Sequence, residues 1–136
     1  MNITWTEDLR TGVDEIDNQH KDLFSRLNEI LEACEHQKGK EEIGTFIDFL
    51  ADYVILHFAT EEREMVKYNY PGLIDHKNEH RQFTIKIGEL QKSFNDQGAS
   101  IDVVLTAVRA SYDWLQNHIR KTDKALGAFL RTKLQA

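Results

Sequence analysis

Short motifs in the sequence place histidines and carboxylates at spacings that suit metal binding. They are "DNQHK" around His20, "HFATE" at 57–61, "HKNEH" at 76–80 and "HIRKTD" at 118–123. Side chains four residues apart on a helix are offset by only about 40° and about 6 Å, so both members of such a pair can reach one centre. Imidazole and carboxylate together suit iron, zinc, copper or nickel, so these motifs predict a metal site if the fold brings them together.

Apolar residues recur at helical spacing in four stretches, which predicts four helices to carry these motifs. The stretches are Leu23, Phe24, Leu27, Ile30, Leu31 and Cys34; Ile43, Phe46, Ile47, Leu50 and Val54; Leu73, Phe83, Ile87, Leu90 and Phe94; and Ile101, Val104, Leu105, Val108 and Leu115. Loops at "QKGKEE", "YNYPG" and "NDQGAS" separate them. We expect Gly39 to end the first helix, Pro71 to follow the second and Ser100 to cap the fourth.

These elements predict a single all-α domain over residues 1–136. Four helices of about 20 residues joined by short loops must run antiparallel to their neighbours, which gives an up-down-up-down four-helix bundle. Residues 1–16 are predicted to form an extended arm before an N-cap at Asp17, and residues 124–135 a short C-terminal helix. Both flanking segments would lie at the end of the bundle where the first helix begins and the fourth ends, and could cover it.

Five of the six histidines continue the apolar stripes of these helices, together with one glutamate. They fall near the start of the first and third helices and near the end of the second and fourth, which is one end of an up-down bundle. Burying so many imidazoles with a carboxylate is costly unless something pairs with them. The number of ligands favours two metal ions, and Asp123 could bridge them if the helix loosens after His118. The other members are His20, His57, Glu61, His76 and His80.

The composition is that of an ordinary globular protein, with 40% hydrophobic and 29% charged residues. A net charge of −6 argues against binding to nucleic acid or to an anionic membrane surface. No apolar run approaches the roughly 18 residues of a membrane span, and the N-terminal "MNITWTEDLRTG" lacks a signal-peptide pattern. With Cys34 as the single cysteine, we expect a cytoplasmic protein.

Taken together, these motifs resemble those of the bacterial hemerythrins over nearly the whole chain. The resemblance includes the Trp-containing arm before "DNQHK" and the "YP" ahead of the third helix. It implies two non-haem iron ions with a bridging oxo or hydroxo group, and it implies that Glu61 and Asp123 bridge both irons. One iron would be held by His20 and His57. The histidines implied for the other iron are His76, His80 and His118.

The same resemblance implies reversible dioxygen binding, for oxygen storage, delivery or transport, and not an enzyme. Two six-coordinate irons with these ligands and an oxygen bridge keep one open position, on the iron held by His20 and His57, where dioxygen would bind. No residue is assigned a catalytic role, and a monomer that supplies an oxygen-requiring recipient protein is expected. The residues that resemble the family's pocket lining are Phe58, Trp114, Leu115 and Ile119.

An alternative function is an oxygen sensor, or a di-iron oxidase, peroxidase or nitric-oxide-handling protein, built on the same site. The Glu-x-x-His motif of ferritin-like carboxylate proteins is absent, which favours oxygen binding over oxidation. A sensor needs an output domain, for which 136 residues leave no room, although a partner protein could supply one.

The remaining polar residues near the motifs receive structural interpretations. We expect the side chains of His36, Glu62 and Glu64 to be solvated. Asp14 and Asp17 are candidates to orient a ligand imidazole, although capping is the favoured interpretation of Asp17.

Overall fold

The computed structural model describes residues 3–135, which form an antiparallel helical bundle. Its four long helices pack in a ring in chain order, and the first also contacts the fourth, which closes an up-down-up-down arrangement. The all-α bundle predicted from periodicity is therefore confirmed. The elements are a 3₁₀ turn (Glu7–Leu9), α1 (Asp14–Glu35), α2 (Gly39–Lys67), α3 (Leu73–Gln97), α4 (Ile101–Trp114), a π-helical segment called the π segment (Leu115–Asp123), and α5 (Lys124–Leu134).

The turn between α1 and α2 differs from the prediction at Gly39. The helix α1 ends at Glu35, and Gln37 takes the left-handed conformation, with φ of 60°, that reverses the chain. Gly39 instead begins α2, at a point where a Cβ atom would lie 2.9 Å from Cys34 Sγ. The glycine therefore permits a close approach between two helices rather than terminating one.

Asp17 does not cap α1, so that prediction was wrong. The helix begins at Asp14, and its N-cap residue, Val13, makes no side-chain capping bond. Asp17 is buried in the first turn, where its Oδ1 accepts hydrogen bonds from Thr11 N and Thr11 Oγ1, both at 2.9 Å. The carboxylate thus fastens the N-terminal arm to α1.

A small second apolar cluster closes the end of the bundle that carries the histidine motifs. It consists of Ile16, Met65, Leu126 and Leu130, all fully buried and separate from the main core. The helix α5 packs directly on the arm backbone there, since a Cβ atom on Gly127 would lie 3.1 Å from the carbonyl oxygen of Arg10. The C-terminal helix therefore covers this end, as predicted.

Trp5 does not cover the metal end, although the arm was expected to. It packs against the main core alongside α1, with the Lys21 ammonium 4.4 Å from its ring centroid. The arm continues along α1 as far as Asn28, whose Oδ1 accepts a hydrogen bond from Ile3 N at 2.7 Å. The first residues of the arm thus cover the side of α1, and only its later part, at Arg10 and Thr11, lies under α5 at the metal end.

The fourth helix buries only part of the apolar stripe that was predicted for it, since Val104 and Leu115 are buried but two other members are not. Ile101 and Leu105 are 55% and 54% exposed, whereas Val103, Val104 and Ala107 lie in the core. Adjacent apolar residues on α4 satisfy two overlapping helical stripes, and only the packing against α3 and α1 selects one of them.

The helix α2 alone, among the described residues, has the length and apolar composition of a membrane span. Half of that apolar stretch is buried inside the bundle, as in the core helix of a globular protein. The same helix carries His57 and Glu61 into the interior. Packing against the other helices therefore accounts for its composition.

Ser100 caps α4 as predicted, and its loss should destabilise the bundle. Its Oγ accepts a hydrogen bond from Val103 N at 3.2 Å. We expect Ser100→Ala to lower the free energy of unfolding by about 1 kcal/mol, as for other N-cap serines, measured by urea denaturation. Ser25→Ala, at an exposed position within α1, is the control and should cost nothing. Equal effects of the two substitutions would contradict the capping role.

Candidate metal centre

Seven buried side chains converge at the end of the bundle closed by the second apolar cluster. Their ligand atoms form two groups, and within each group all of them lie within 4.8 Å of one another. We call these groups the three-histidine half-site and the two-histidine half-site, and they share Glu61 and Asp123. The histidines of the first are His76, His80 and His118, and those of the second are His20 and His57.

Glu61 presents one carboxylate oxygen to each half-site. Its Oε1 lies 3.1 Å from His76 Nε2 and 3.0 Å from His80 Nε2. Its Oε2 lies 3.1 Å from His20 Nε2 and 3.0 Å from His57 Nε2. The side chain is fully buried, so it reaches both half-sites without contact with solvent.

Asp123 divides its oxygens in the same way. Its Oδ1 lies 3.0 Å from His76 Nε2 and 3.1 Å from His118 Nε2, while its Oδ2 lies 2.9 Å from His20 Nε2. The two carboxylates therefore span the same pair of centres. Each centre would receive one oxygen from each carboxylate.

Several of these close approaches are not hydrogen bonds. Four buried atoms have no hydrogen-bond partner: His57 Nε2, His118 Nε2 and both oxygens of Asp123. Each of these nitrogens nevertheless lies within 3.1 Å of a carboxylate oxygen, and each of these oxygens within 3.1 Å of an imidazole nitrogen. Ligand atoms about 2.0–2.2 Å from one cation and at right angles to each other are about 2.8–3.1 Å apart. The observed separations match this spacing, so the atoms face common centres and the residues fit a pair of metal ions.

The π segment brings His118 and Asp123 onto one face. Five residues of an α-helix turn through about 500°, which would leave the two side chains about 140° apart. In a π-helix, residue i lies beside residue i+5, so this spacing places them together. The loosening predicted after His118 therefore begins earlier, at Leu115, and includes the histidine itself.

Three of the five imidazoles donate their outer Nδ1–H to a partner on another part of the bundle. Each such bond fixes the tautomer and leaves Nε2, which faces the centre, free to bind a metal. The Nδ1 atoms of His20 and His76 have no partner. The pairs, with their Nδ1 to oxygen distances, are His57 and Gln19 at 2.7 Å, His80 and Glu62 at 2.9 Å, and His118 and Glu79 at 2.8 Å.

The sequence prediction missed these three partners. Each partner lies next to one candidate ligand in the sequence but forms its hydrogen bond with a candidate ligand on the following helix. Gln19, for example, precedes His20 but accepts a hydrogen bond from His57. This adjacency is the only signal in the sequence that could have found them. Neither Asp14 nor Asp17 takes the role, since Asp14 is exposed and Asp17 binds the arm.

The predictions for the other polar residues were right only for His36, whose side chain is 68% exposed. Glu62 was predicted to be solvated, but it binds His80 and its side chain is 28% exposed. Glu64 is buried, with its Oε1 3.5 Å from an Arg63 nitrogen. A glutamate next to a ligand thus cannot be assumed to point into solvent.

The imidazoles and carboxylates shift one another's pKa values in the metal-free site. Burial alone would lower the pKa of His20, but the charges of Asp123 and Glu61 outweigh it and raise that pKa to about 10. Burial also opposes the contacts of His76 with the same carboxylates, which raise its pKa to about 10. Burial and the charge of Glu61 would raise the pKa of Asp123, yet His118 and His20 hold it below its ordinary value.

Aromatic rings pack directly on the imidazoles of the candidate ligands. The Phe58 ring stacks on His80 with a centroid separation of 3.9 Å, and the Trp114 ring stacks on His118 at 3.7 Å. Both rings therefore lie against the three-histidine half-site, and the Phe58 ring centroid also lies 6.0 Å from that of His57 in the two-histidine half-site. Leu115 is fully buried at the start of the π segment.

The two-histidine half-site has an aromatic neighbour that the sequence prediction missed. Tyr53 stacks on His57 with a centroid separation of 4.7 Å, and its hydroxyl is buried without a hydrogen-bond partner. Burial raises the pKa of this phenol well above its ordinary value, and the charges of Asp123 and Glu61 raise it further. Ile119, which precedes Arg120 in the π segment, is fully buried like Leu115.

This fold and site define a helical-bundle protein with two adjoining groups of buried histidine and carboxylate side chains that could each hold a metal ion. The sequence-family model of the hemerythrin HHE cation binding domain matches residues 11–130, so the chain belongs to the hemerythrin family. The resemblance inferred from the motifs is therefore confirmed.

Named relatives match the chain over most of its length. The bacteriohemerythrin of Methylococcus capsulatus is 38% identical over 129 residues, which cover 94% of this chain and 96% of the relative. The myohemerythrin of Riftia pachyptila is 29% identical over 119 residues, with 88% and 86% covered. A crystal structure of a wild-type hemerythrin superposes with a TM-score of 0.78 at 37% identity, covering 94% of this chain and 97% of that one.

The stability of the metal-free protein should fall as the pH rises. The raised pKa values of His20 and His76 mean that their stabilising charge is fully present below about pH 6.5 and is lost as the pH approaches about 10. We expect the urea midpoint to drop between about pH 7 and about pH 9.5, and apparent metal affinity to rise, because binding releases these protons.

The control for this prediction is His36→Gln, which removes an exposed histidine and should leave the pH slope unchanged. His76→Gln should flatten the slope. If the metal-free protein instead becomes more stable over this pH range, the assignment of the raised pKa values is wrong.

Proposed function

We propose that the chain binds dioxygen reversibly at a pair of non-haem iron ions, for oxygen storage, delivery or transport. The observation that carries this proposal is the arrangement of Glu61 and Asp123, each of which offers one oxygen to each half-site at 2.9–3.1 Å from histidine nitrogens. The proposed ligands are His20, His57, Glu61, His76, His80, His118 and Asp123.

The donor set favours iron over zinc. The three-histidine half-site offers three nitrogens and two oxygens, and the two-histidine half-site offers two of each. Structural zinc sites use four ligands, whereas six-coordinate iron accepts this number together with a bridging oxo or hydroxo group. When bound, the iron pair would supply the reversible redox chemistry at which dioxygen is taken up.

The protein's own part is to hold the ligands and to keep the site dry. The imidazoles with fixed tautomers direct Nε2 inward, and the buried carboxylates supply the negative charge that two cations require. The proposed open position is on the two-histidine half-site, as the smaller number of imidazoles there suggests. Phe58, Trp114, Leu115 and Ile119, all buried, are proposed to exclude water from the dioxygen pocket.

One observation bears on the alternative of a di-iron oxidase, peroxidase or nitric-oxide-handling protein. The ring of Tyr53 lies beside the two-histidine half-site, and its buried hydroxyl is the candidate proton source for such chemistry. Its pKa is raised well above the ordinary value, which makes it a poor acid near neutral pH. The carrier function is therefore favoured over catalysis. A sensor would use the same site with a separate output protein.

The finer details of the biological role stay predictions. They are a single hemerythrin-like domain over residues 1–136, a monomeric state, a cytoplasmic location and an oxygen-requiring recipient protein. The free Cys34 fits a reducing compartment.

A two-iron stoichiometry tests the bridging assignment. We expect elemental analysis after anaerobic loading to find about two iron ions per chain, following the ligand number. Because Glu61 faces both half-sites, Glu61→Ala should lose both ions, and Glu61→Gln should lose most of both while keeping the volume of the side chain. The control His36→Ala should keep both. Wild-type iron content in both Glu61 variants, or one zinc and no iron in the wild type, would overturn the assignment.

Cycles of oxygenation test the carrier function. The reduced di-iron protein should take up one dioxygen per chain and release it intact when oxygen is removed, because the pocket excludes water. Leu115→Ala should still bind dioxygen but oxidise irreversibly roughly tenfold faster, measured spectrophotometrically, since water would reach the site.

The control for this experiment is Leu50→Ala, which opens a similar space at a fully buried position on α2 away from the ligands. It should cost about 2–5 kcal/mol of stability, as Leu115→Ala does, without faster oxidation. Consumption of dioxygen with a reductant and no release by the wild type would replace the carrier function with an oxidase function. Equal oxidation rates in the two variants would show that Leu115 is only a packing residue.

A further inference from the structure

The two half-sites differ in what lies behind their imidazoles. In the three-histidine half-site, His80 donates its Nδ1–H to the carboxylate of Glu62 at 2.9 Å. His118 donates its Nδ1–H to the carboxylate of Glu79 at 2.8 Å. His76 has no partner on Nδ1. Glutamate thus supports two of the three imidazoles of this half-site.

The two-histidine half-site has no carboxylate behind its imidazoles. His57 donates Nδ1–H to the neutral amide oxygen of Gln19 at 2.7 Å, and His20 Nδ1 has no partner. Gln19 is itself held by Thr60, whose Oγ1 accepts a hydrogen bond from Gln19 Nε2 at 3.1 Å. The partner of His57 is therefore held in place by a hydrogen bond of its own, but it carries no charge.

A charged partner makes an imidazole a stronger ligand. An N–H that donates to a carboxylate increases the electron density on the opposite nitrogen and fixes its orientation, and removal of such a partner typically costs 10–100-fold in metal affinity. Glu61 and Asp123 serve both half-sites equally, so they create no difference. The three-histidine half-site therefore has one more imidazole and two charged supports.

Both supporting glutamates are themselves held in place. Glu79 Oε1 accepts a second hydrogen bond from Thr122 Oγ1 at 2.9 Å, from within the π segment. Glu62 lies within 4.0 Å of the Lys77 ammonium. Their side chains are 40% and 28% exposed, so they lie at the rim of the bundle and can be replaced without leaving a buried cavity.

We propose that the two half-sites fill in a fixed order, in which the three-histidine half-site takes the first divalent cation because Glu62 and Glu79 support its imidazoles. This inference rests on the proposed dinuclear site and adds the order of its assembly. With the first ion bound, Glu61 and Asp123 would each use one oxygen there, and their second oxygens would complete the two-histidine half-site for the second ion. Glu62 and Glu79 are positioning residues and touch no metal.

The order can be read directly with Zn²⁺, which is diamagnetic. Metal-free full-length protein labelled with ¹⁵N is titrated, and the ring nitrogens of the five buried histidines are followed by long-range ¹H–¹⁵N spectra. At one equivalent, the Nε2 signals of His76, His80 and His118 should shift while those of His20 and His57 stay at their metal-free positions. The second equivalent should shift the remaining two.

Variants that remove or add a carboxylate charge behind one imidazole test what sets the order of filling. Glu62→Gln and Glu79→Gln keep the size and an acceptor oxygen, and each should weaken the first step by about tenfold or more, with a much smaller effect on the second, in a chelator competition. Gln19→Glu places a carboxylate behind His57 and should strengthen the second step. Glu64→Gln, on α2 beside Arg63, is the matched control and should change neither.

The outcomes separate this inference from the proposed function. Two Zn²⁺ ions bound with all five histidines shifting together, or with His20 and His57 shifting first, would overturn the order while leaving the dinuclear site intact. A single Zn²⁺ that shifts all five would overturn both. Equal losses at both steps in Glu62→Gln and Glu79→Gln, with lower stability of the metal-free variants, would show that the glutamates only support the fold.

Discussion

The constraint on which the structure depends is the burial of two ionised carboxylates in one layer of the bundle. Glu61 and Asp123 are both buried, and the buried residues that the structure describes include no lysine or arginine. In a low-dielectric interior such a pair is unfavourable unless cations balance it. Protonated imidazoles can do this in the metal-free protein, and two divalent ions can do it better. His20, His76 and His118, whose pKa values the carboxylates raise, are therefore the alternative counter-charge as well as proposed ligands.

The fold is arranged to keep that layer free of water. Below it, the main core fills the bundle, and above it the small cluster of Ile16, Met65, Leu126 and Leu130 closes the end. The π segment is the local distortion that this arrangement needs, since an unbroken α-helix would direct Asp123 away from His118. Because α5 continues directly from that segment and packs on the arm, the distortion also places the cover over the site.

The sequence predicted whatever depends on spacing along one helix. Helical periodicity indicated the bundle, and the spacing of His76 and His80 indicated a shared centre, because both follow from the geometry of a single helix. Features that depend on how neighbouring helices are rotated could not be found in this way. Glu62 looked solvated because its partner, His80, lies on another helix, and Tyr53 was missed because nothing in one helix shows that it faces His57. The prediction that Leu105 is buried was wrong for the same reason, since α4 has two apolar faces that could pack on the core.

The shared carboxylates couple the two half-sites, whereas the unequal number and support of their imidazoles make the half-sites different. Because each oxygen of Glu61 faces a different half-site, a change of charge or position at one centre is transmitted to the other through a single rigid group. Because the supporting glutamates stand behind only His80 and His118, the two centres still differ in donor strength. For the proposed function, in which a small ligand would bind at one ion and both ions would supply electrons, this combination is favourable. The weaker half-site would keep a free position, and the stronger one would hold the pair of ions together.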